Sequence, residues 1–124
     1  PEIASVGLTE TQAREKGVQI RVGRYDMKGN GQQIISRETG GFIKVIFAAN
    51  SDVLLGAQIM CARATDMIGE LATALANGLT STQLMYAMRA HPTFNEAISC
   101  ADIRINAPLN KVTPTLAYGF LTVS

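Results

Sequence analysis

The chain has 124 residues, of which 47% are hydrophobic and only 17% are charged, and its net charge is +1. An average soluble domain has roughly 25% charged residues, so we expect part of this surface to be buried against another domain or subunit; a slightly apolar monomer is the alternative. The charged residues form no basic run, so the sequence gives no indication of a positively charged surface that binds nucleic acid. No apolar stretch approaches the roughly 18 residues of a membrane span. The length fits one domain.

The first elements in chain order are a short helix and a strand. Thr9 and Gln12 have the spacing of a capping box, and Gly17 stands where a left-handed residue would end the helix. Residues 18–25 then alternate, with Val18, Ile20 and Val22 apolar, which predicts a half-buried strand.

A hairpin is the clearest feature of the middle of the chain. Asn30-Gly31 is typical of a turn, and two apolar, β-branched runs within residues 41–60 flank Ala-Asn-Ser-Asp at 49–52. This pattern predicts an antiparallel hairpin. Only Lys44 and Gln58 interrupt the apolar runs, so we expect both faces of the hairpin to be covered or to lie at an interface.

The period becomes helical after the hairpin. Residues 63–77 predict a helix that Gly78 ends, Thr80 and Gln83 predict a second capped helix, and Pro92 is suited to begin a third. The apolar stripe of the first of these helices is formed by Met67, Ile68, Leu71, Ala74 and Leu75. Strands followed by helices predict an α+β domain with an antiparallel sheet.

The two cysteines, Cys61 and Cys100, are far apart and share no Cys-x-x-Cys spacing. We expect them to be reduced, buried residues of a cytoplasmic protein. A disulfide between them has no support from the spacing. A zinc site would need more ligands than one histidine and two cysteines offer.

The only histidine, His91, is the candidate functional residue. It precedes Pro92, and Glu96 lies five positions further on. A carboxylate there could orient the imidazole as an acid–base group, but no nucleophile or phosphate loop accompanies it. The alternative is an ordinary histidine at the start of a helix, with Glu96 favourable near the positive helix end.

Several segments together resemble a known family. "PEIASVGLTETQARE", "GFIKVIF", "VLLGAQIM", "ELATALANGLTSTQL" and "AHPTFNEAI" occur in that order. They resemble the C-terminal dimerisation domain of the pyridine nucleotide-disulfide oxidoreductases, and within that family the sequence is most similar to the dihydrolipoamide dehydrogenases. The resemblance runs from Pro1 to about Ala101. Since the chain starts at Pro1 without a Met, we expect it to be part of a longer polypeptide.

The resemblance implies a division of labour. FAD and NAD would be bound by two upstream domains, of which the FAD domain also carries a redox-active disulfide. This domain alone would bind neither cofactor. It would form a homodimer and present His91 and Glu96 to the disulfide of the other subunit, with Glu96 holding the imidazole that takes a proton from the dithiol. The partner would be a lipoyl-bearing protein of a 2-oxoacid dehydrogenase complex, with no role for nucleic acid or membrane. The resemblance also implies a cis bond between His91 and Pro92.

The resemblance has limits that keep alternatives open. Many relatives carry a second histidine where this chain has Arg89, and residues 104–124 do not resemble the family. We therefore expect a dimerisation domain at 1–103 followed by a divergent or added tail at 104–124. A glutathione-reductase-like disulfide reductase and a stand-alone, non-catalytic dimerisation module are the alternatives. The expected dimer contact comes from apolar residues around the second capped helix: Leu84, Met85, Met88 and Phe94.

Overall fold

The computed structural model describes the backbone of residues 1–106 and 121–122 and the side chains of residues 1–102. Its elements, in chain order, are β1 (Glu2–Gly7), α1 (Glu10–Glu15), β2 (Ile20–Asp26), a 3-10 turn (Met27–Gly29), α2 (Gly31–Ile35), β3 (Phe42–Ala48), β4 (Leu54–Cys61), α3 (Ala64–Ala76), α4 (Ser81–Tyr86), β5 (Ala90–His91), α5 (Glu96–Asn106) and β6 (Leu121–Thr122).

Four strands form one antiparallel sheet in the order β1-β4-β3-β2. The predicted hairpin forms its centre: Ile43 lies opposite Ile59, and Val45 lies opposite Ala57. All four residues are buried, because apolar side chains at alternate positions of both strands point to the same face. The predicted α+β class is confirmed.

Helices α3, α4 and α5 supply the rest of the core. Met67, Leu71 and Ala74 of the predicted α3 stripe are buried, while α5 packs mainly against β2. The capping boxes at Thr9 and Thr80 are both present, with each hydroxyl accepting a hydrogen bond from a backbone N–H. Gly17 has the positive φ, 72°, that was expected, and Gly78, which was expected to end the next helix, also has a positive φ, 61°.

The opposite face of the hairpin is partly covered by the segment that leads into α1. A Cβ atom on Gly56 would lie 2.0 Å from the carbonyl oxygen of Leu8, so only glycine allows this approach. The two polar residues of the hairpin are used here. Lys44 Nζ lies 3.5 Å from Glu10 Oε2, and Gln58 Nε2 donates to Leu8 O at 3.3 Å.

Three local predictions were wrong. The edge strand β1 was missed, since its alternation is short and only one of its edges is paired. In β2 the buried positions are Gly23 and Tyr25 instead of Ile20 and Val22. Helix α5 packs on the face of β2 that carries Gly23, where no side chain keeps the helix away. Asn30-Gly31 begins α2 instead of making a turn, and the Asn30 side chain caps it by accepting from the Gln33 backbone N–H.

The predicted tail boundary falls inside a helix. α5 continues to Asn106, past the boundary at 103/104, and the short strand β6 (Leu121–Thr122) pairs in parallel with Ala90 and His91. The rest of the predicted tail, residues 107–120 and 123–124, lies outside the described residues. The domain division therefore stays a prediction.

Neither cysteine is in a disulfide; Cys61 is buried, as expected, whereas Cys100 is partly exposed. Burial is the main factor that raises the pKa of the Cys61 thiol, and the thiol lies 3.5 Å from the sulfur of Met67. A buried thiol is a poor nucleophile, since the reactive form is the thiolate.

We predict that a thiol reagent such as Ellman's reagent modifies the folded chain in two phases. The slow phase should belong to Cys61, with a rate that rises to that of the other thiol in denaturant. A Cys61→Ala variant should lose the slow phase alone. Equal rates for both thiols in the folded chain would contradict the burial of Cys61.

Candidate functional site

The candidate site is a short segment between β5 and α5. His91 ends β5, and its peptide bond to Pro92 is cis, as the resemblance implied. The helix predicted to begin at Pro92 begins only at Glu96, because residues 92–95 form a bend and a turn first. His91 stands at the surface with 52% of its side chain exposed.

His91 and Glu96 are in direct contact. The Nδ1 atom of His91 lies 2.7 Å from Oε1 of Glu96, a distance typical of a charge-assisted hydrogen bond. Because a carboxylate oxygen can only accept, this contact assigns the proton to Nδ1 and leaves Nε2 as the basic nitrogen of the neutral ring. The sequence showed only that a contact between His91 and Glu96 was possible, and the structure forms it.

The second oxygen of Glu96 is also used. Oε2 accepts a hydrogen bond from the backbone N–H of Thr93 at 3.0 Å. Thr93 and Glu96 have capping-box spacing, and this contact is the glutamate half of the box. The Thr93 hydroxyl instead donates to the Ala90 carbonyl at 2.7 Å. The spacing Thr-x-x-Glu was a signal in the sequence that we did not use.

Asn30, from the first half of the chain, holds this segment in place by hydrogen bonds. Asn30 is buried, and its Nδ2 donates to the carbonyl of Thr93 at 3.0 Å and, at 3.5 Å, to that of Phe94. The same side chain caps α2 through its oxygen. One amide therefore links the site to the start of α2, and sequence reasoning missed this role.

Beside the segment is an open cavity of about 320 Å³. Its lining residues come from α2, the start of α3 and the segment itself: Gln32, Arg63, Asp66, Pro92, Thr93, Phe94 and Asn95. Within the part of the chain that the structure describes, no cluster of three His, Cys, Asp or Glu side chains could hold a metal ion. No described helix is both long and apolar enough to span a membrane.

The four residues expected at a dimer contact are in different environments. Met88 is 63% exposed, and Met85 and Phe94 are partly buried. Leu84 is only 3% exposed and packs in the core of its own chain. We therefore drop Leu84 from the expected contact, because little of its side chain is left for a second copy. Tyr86, 70% exposed, lies on the same helix.

A buried carboxylate, Asp102 of α5, lies in the interior near the site. Neither of its oxygens has a hydrogen-bond partner among the described residues. Burial raises its pKa to about 7, against the opposing attraction of Arg89 and Arg21. The protonated form of Asp102 is therefore favoured by the fold.

The comparisons with known proteins establish the family. The sequence profile of the pyridine nucleotide-disulphide oxidoreductase dimerisation domain matches residues 1–101. The chain belongs to this family of dimerisation domains. It is 39% identical over 113 residues to the dihydrolipoyl dehydrogenase of Bacillus subtilis, covering 90% of this chain and 24% of that protein. It is 41% identical over 98 residues to that of Rhizobium etli, covering 79% and 20%.

Solved structures show the same fold. LpdA from Mycobacterium tuberculosis matches with a TM-score of 0.80 and 25% identity, over 86% of this chain and 23% of that one. The HOCl-induced flavoprotein disulfide reductase RclA from Escherichia coli matches with a TM-score of 0.78 and 27% identity, over 88% and 24%. The chain spans about a quarter of the length of the curated relatives it matches.

We predict that the stability of the chain falls as pH rises through the interval from 3.8 to about 7, the ordinary and folded pKa values of Asp102. In that interval the folded state binds more protons than the unfolded state, so the free energy of unfolding decreases with pH, by at most about 4 kcal/mol. Asp102→Asn, which cannot ionise, should remove this decrease in denaturant titrations.

The matched control for this prediction is Asp66→Asn, since Asp66 is an exposed carboxylate. Because Asp102 is kept, this variant should retain the fall in stability between pH 3.8 and about 7, and it should alter stability by less than about 0.5 kcal/mol. An Asp102→Asn variant with the same pH dependence as the original chain would show that this carboxyl ionises as readily in the fold as in the unfolded chain.

Proposed function

We propose that this chain is the dimerisation domain of a dihydrolipoyl dehydrogenase that oxidises protein-bound dihydrolipoyl groups with NAD. The observation that carries the proposal is the 2.7 Å contact between His91 Nδ1 and Glu96 Oε1. The names of the relatives support the reaction. Two cysteines that form no disulfide are consistent with a reducing, cytoplasmic location.

The chemistry of the pair follows from its geometry. Glu96 fixes the ring with its proton on Nδ1, so Nε2 takes a proton from a dithiol and the imidazolium that forms is stabilised by the carboxylate. Proton removal gives a thiolate, which is the form that attacks a disulfide. His91 therefore acts as the acid–base catalyst, and Glu96 orients it.

The remaining parts of the reaction would come from elsewhere. In the proposed enzyme, upstream domains hold FAD and NAD, which accept the electrons of the dithiol through a redox disulfide. The disulfide that reacts would lie in the upstream FAD domain of the other subunit, as the resemblance to the family implies. Met85, Met88 and Phe94 form the proposed contact between the two subunits.

A different disulfide substrate is the second candidate. The likeness to RclA, a flavoprotein disulfide reductase, favours a reductase of another disulfide. The acid–base role of His91 would be the same, with the proton given to the leaving thiolate instead of taken from the dithiol. Steady-state assays with dihydrolipoamide and with oxidised glutathione would distinguish the two.

We predict that His91→Gln in the full-length flavoprotein lowers kcat for dihydrolipoamide oxidation by about 10²–10⁴-fold, because the general base is lost. FAD absorbance should be unchanged. Glu96→Gln should cause a smaller loss, since the ring is kept but its imidazolium is no longer stabilised.

The control for these variants is Glu15→Gln, an exposed carboxylate of α1 that has no contact with the site. Its kcat should equal that of the unmodified enzyme. Full activity in His91→Gln would remove His91 from the mechanism, and FAD loss in that variant would indicate a structural role instead.

We predict that Met88→Asp weakens the homodimer, since a charge would be buried against an apolar surface. Sedimentation velocity over a concentration series should show the dimer dissociation constant rising by at least about tenfold, a change of about 1.4 kcal/mol. Ile34→Asp is the control, because Ile34 is equally exposed, at 64%, but lies on α2. Equal weakening by both variants would contradict the proposed contact.

A further inference from the structure

Arg89 is a buried cation next to the site. Only 6% of its side chain is exposed. Nη1 donates to the carbonyls of Leu84 and Ala87, at 3.1 and 3.3 Å, and also to the hydroxyl of Ser99 on α5. Its Nη2 donates to Glu70 of α3. One guanidinium thus joins α3, the end of α4 and α5.

Glu70 extends this connection to the far side of the segment. Its Oε1 accepts from Arg89, and its Oε2 accepts from Nδ2 of Asn95 at 3.1 Å. The two oxygens of one carboxylate therefore bind residues on both sides of the His91–Pro92 step. We call Arg89, Glu70 and Asn95 the clamp.

The clamp holds both ends of the His91–Glu96 contact. Arg89 lies two residues before His91, and Asn95 is the residue directly before Glu96. Since β5 is only two residues long, the sheet that carries His91 offers few backbone bonds to hold it. Glu70 lies on α3, which packs against the main sheet. By binding both Arg89 and Asn95, it fixes the positions of these two residues relative to each other.

We propose that Arg89, Glu70 and Asn95 are positioning residues. They hold the imidazole of His91 and the carboxylate of Glu96 at hydrogen-bonding distance from each other. None of the three touches the reacting atoms, so the clamp acts only through the pair. The inference rests on the proposed acid–base role of that pair.

The identity of Arg89 is part of the inference. Its planar fork of N–H donors reaches two carbonyls, a hydroxyl and a carboxylate at once, which a lysine ammonium with three donors on a flexible stem cannot do. The burial of its charge is offset by the carboxylate of Glu70. We therefore expect Arg89→Lys to keep the charge and lose the positioning.

The test uses the fact that His91 is the only histidine of the chain. Nitrogen-15 NMR of the imidazole at high pH reports directly which ring nitrogen carries the proton. We expect mainly the Nδ1–H tautomer in the unmodified chain and a large loss of it in Glu96→Ala. Asn95→Ala and Arg89→Lys should shift the balance toward that of Glu96→Ala.

A kinetic readout in the full-length flavoprotein accompanies the NMR. Asn95→Ala should lower kcat by about tenfold or more while KM stays constant, because misplacing a catalytic group affects the reaction step. Asn77→Ala is the matched control, since it removes an amide of the same type that bonds Thr73 at the other end of α3. This control should change neither readout.

The outcomes separate the two proposals. An unmodified chain without the Nδ1–H tautomer would overturn the His91–Glu96 pair, and with it the proposed function. An intact tautomer that stays unchanged in Asn95→Ala, together with unchanged kcat, would overturn the clamp alone. Should Arg89→Lys fail to fold, Asn95→Ala decides, because it leaves the partly buried Arg89–Glu70 ion pair in place.

Discussion

The carboxylate of Glu96 makes two hydrogen bonds that the site depends on. One oxygen holds the imidazole of His91, and the other accepts from the backbone N–H of Thr93 and so closes the first turn before α5. Because both bonds use the same rigid group, the ring orientation is fixed by the start of a helix. Everything that places α5, including its packing on β2, therefore also places the histidine.

The scaffold explains how an exposed histidine is held. The central hairpin is buried by α3 and α5 on one face, and Asn30 connects the segment after His91 to the start of α2. Arg89 and Glu70 connect it to α3 on the other side. The histidine itself stays accessible, as its proposed acid–base role requires.

The sequence predicted much of this fold, and the failures have physical causes. The hairpin, α3 and both capping boxes were found because their signals are local: apolar periodicity and side-chain bonds three residues apart. The buried face of β2 was assigned wrongly because tertiary packing by α5 overrode the apolar side chains of Ile20 and Val22. In the site, His91 and Glu96 were identified, whereas Asn30 and Glu70 were not, since their partners lie far away in the sequence.

The central claim is that this chain carries half of an active site, completed by the disulfide of a second subunit. Subunit complementation tests it most directly: full-length subunits with His91→Gln are mixed with subunits that lack the redox disulfide, and dihydrolipoamide oxidation is measured after the dimers exchange. Neither parent should be active, while each mixed dimer should regain one working site. Mixed dimers as inactive as their parents would show that His91 does not serve the other subunit's disulfide.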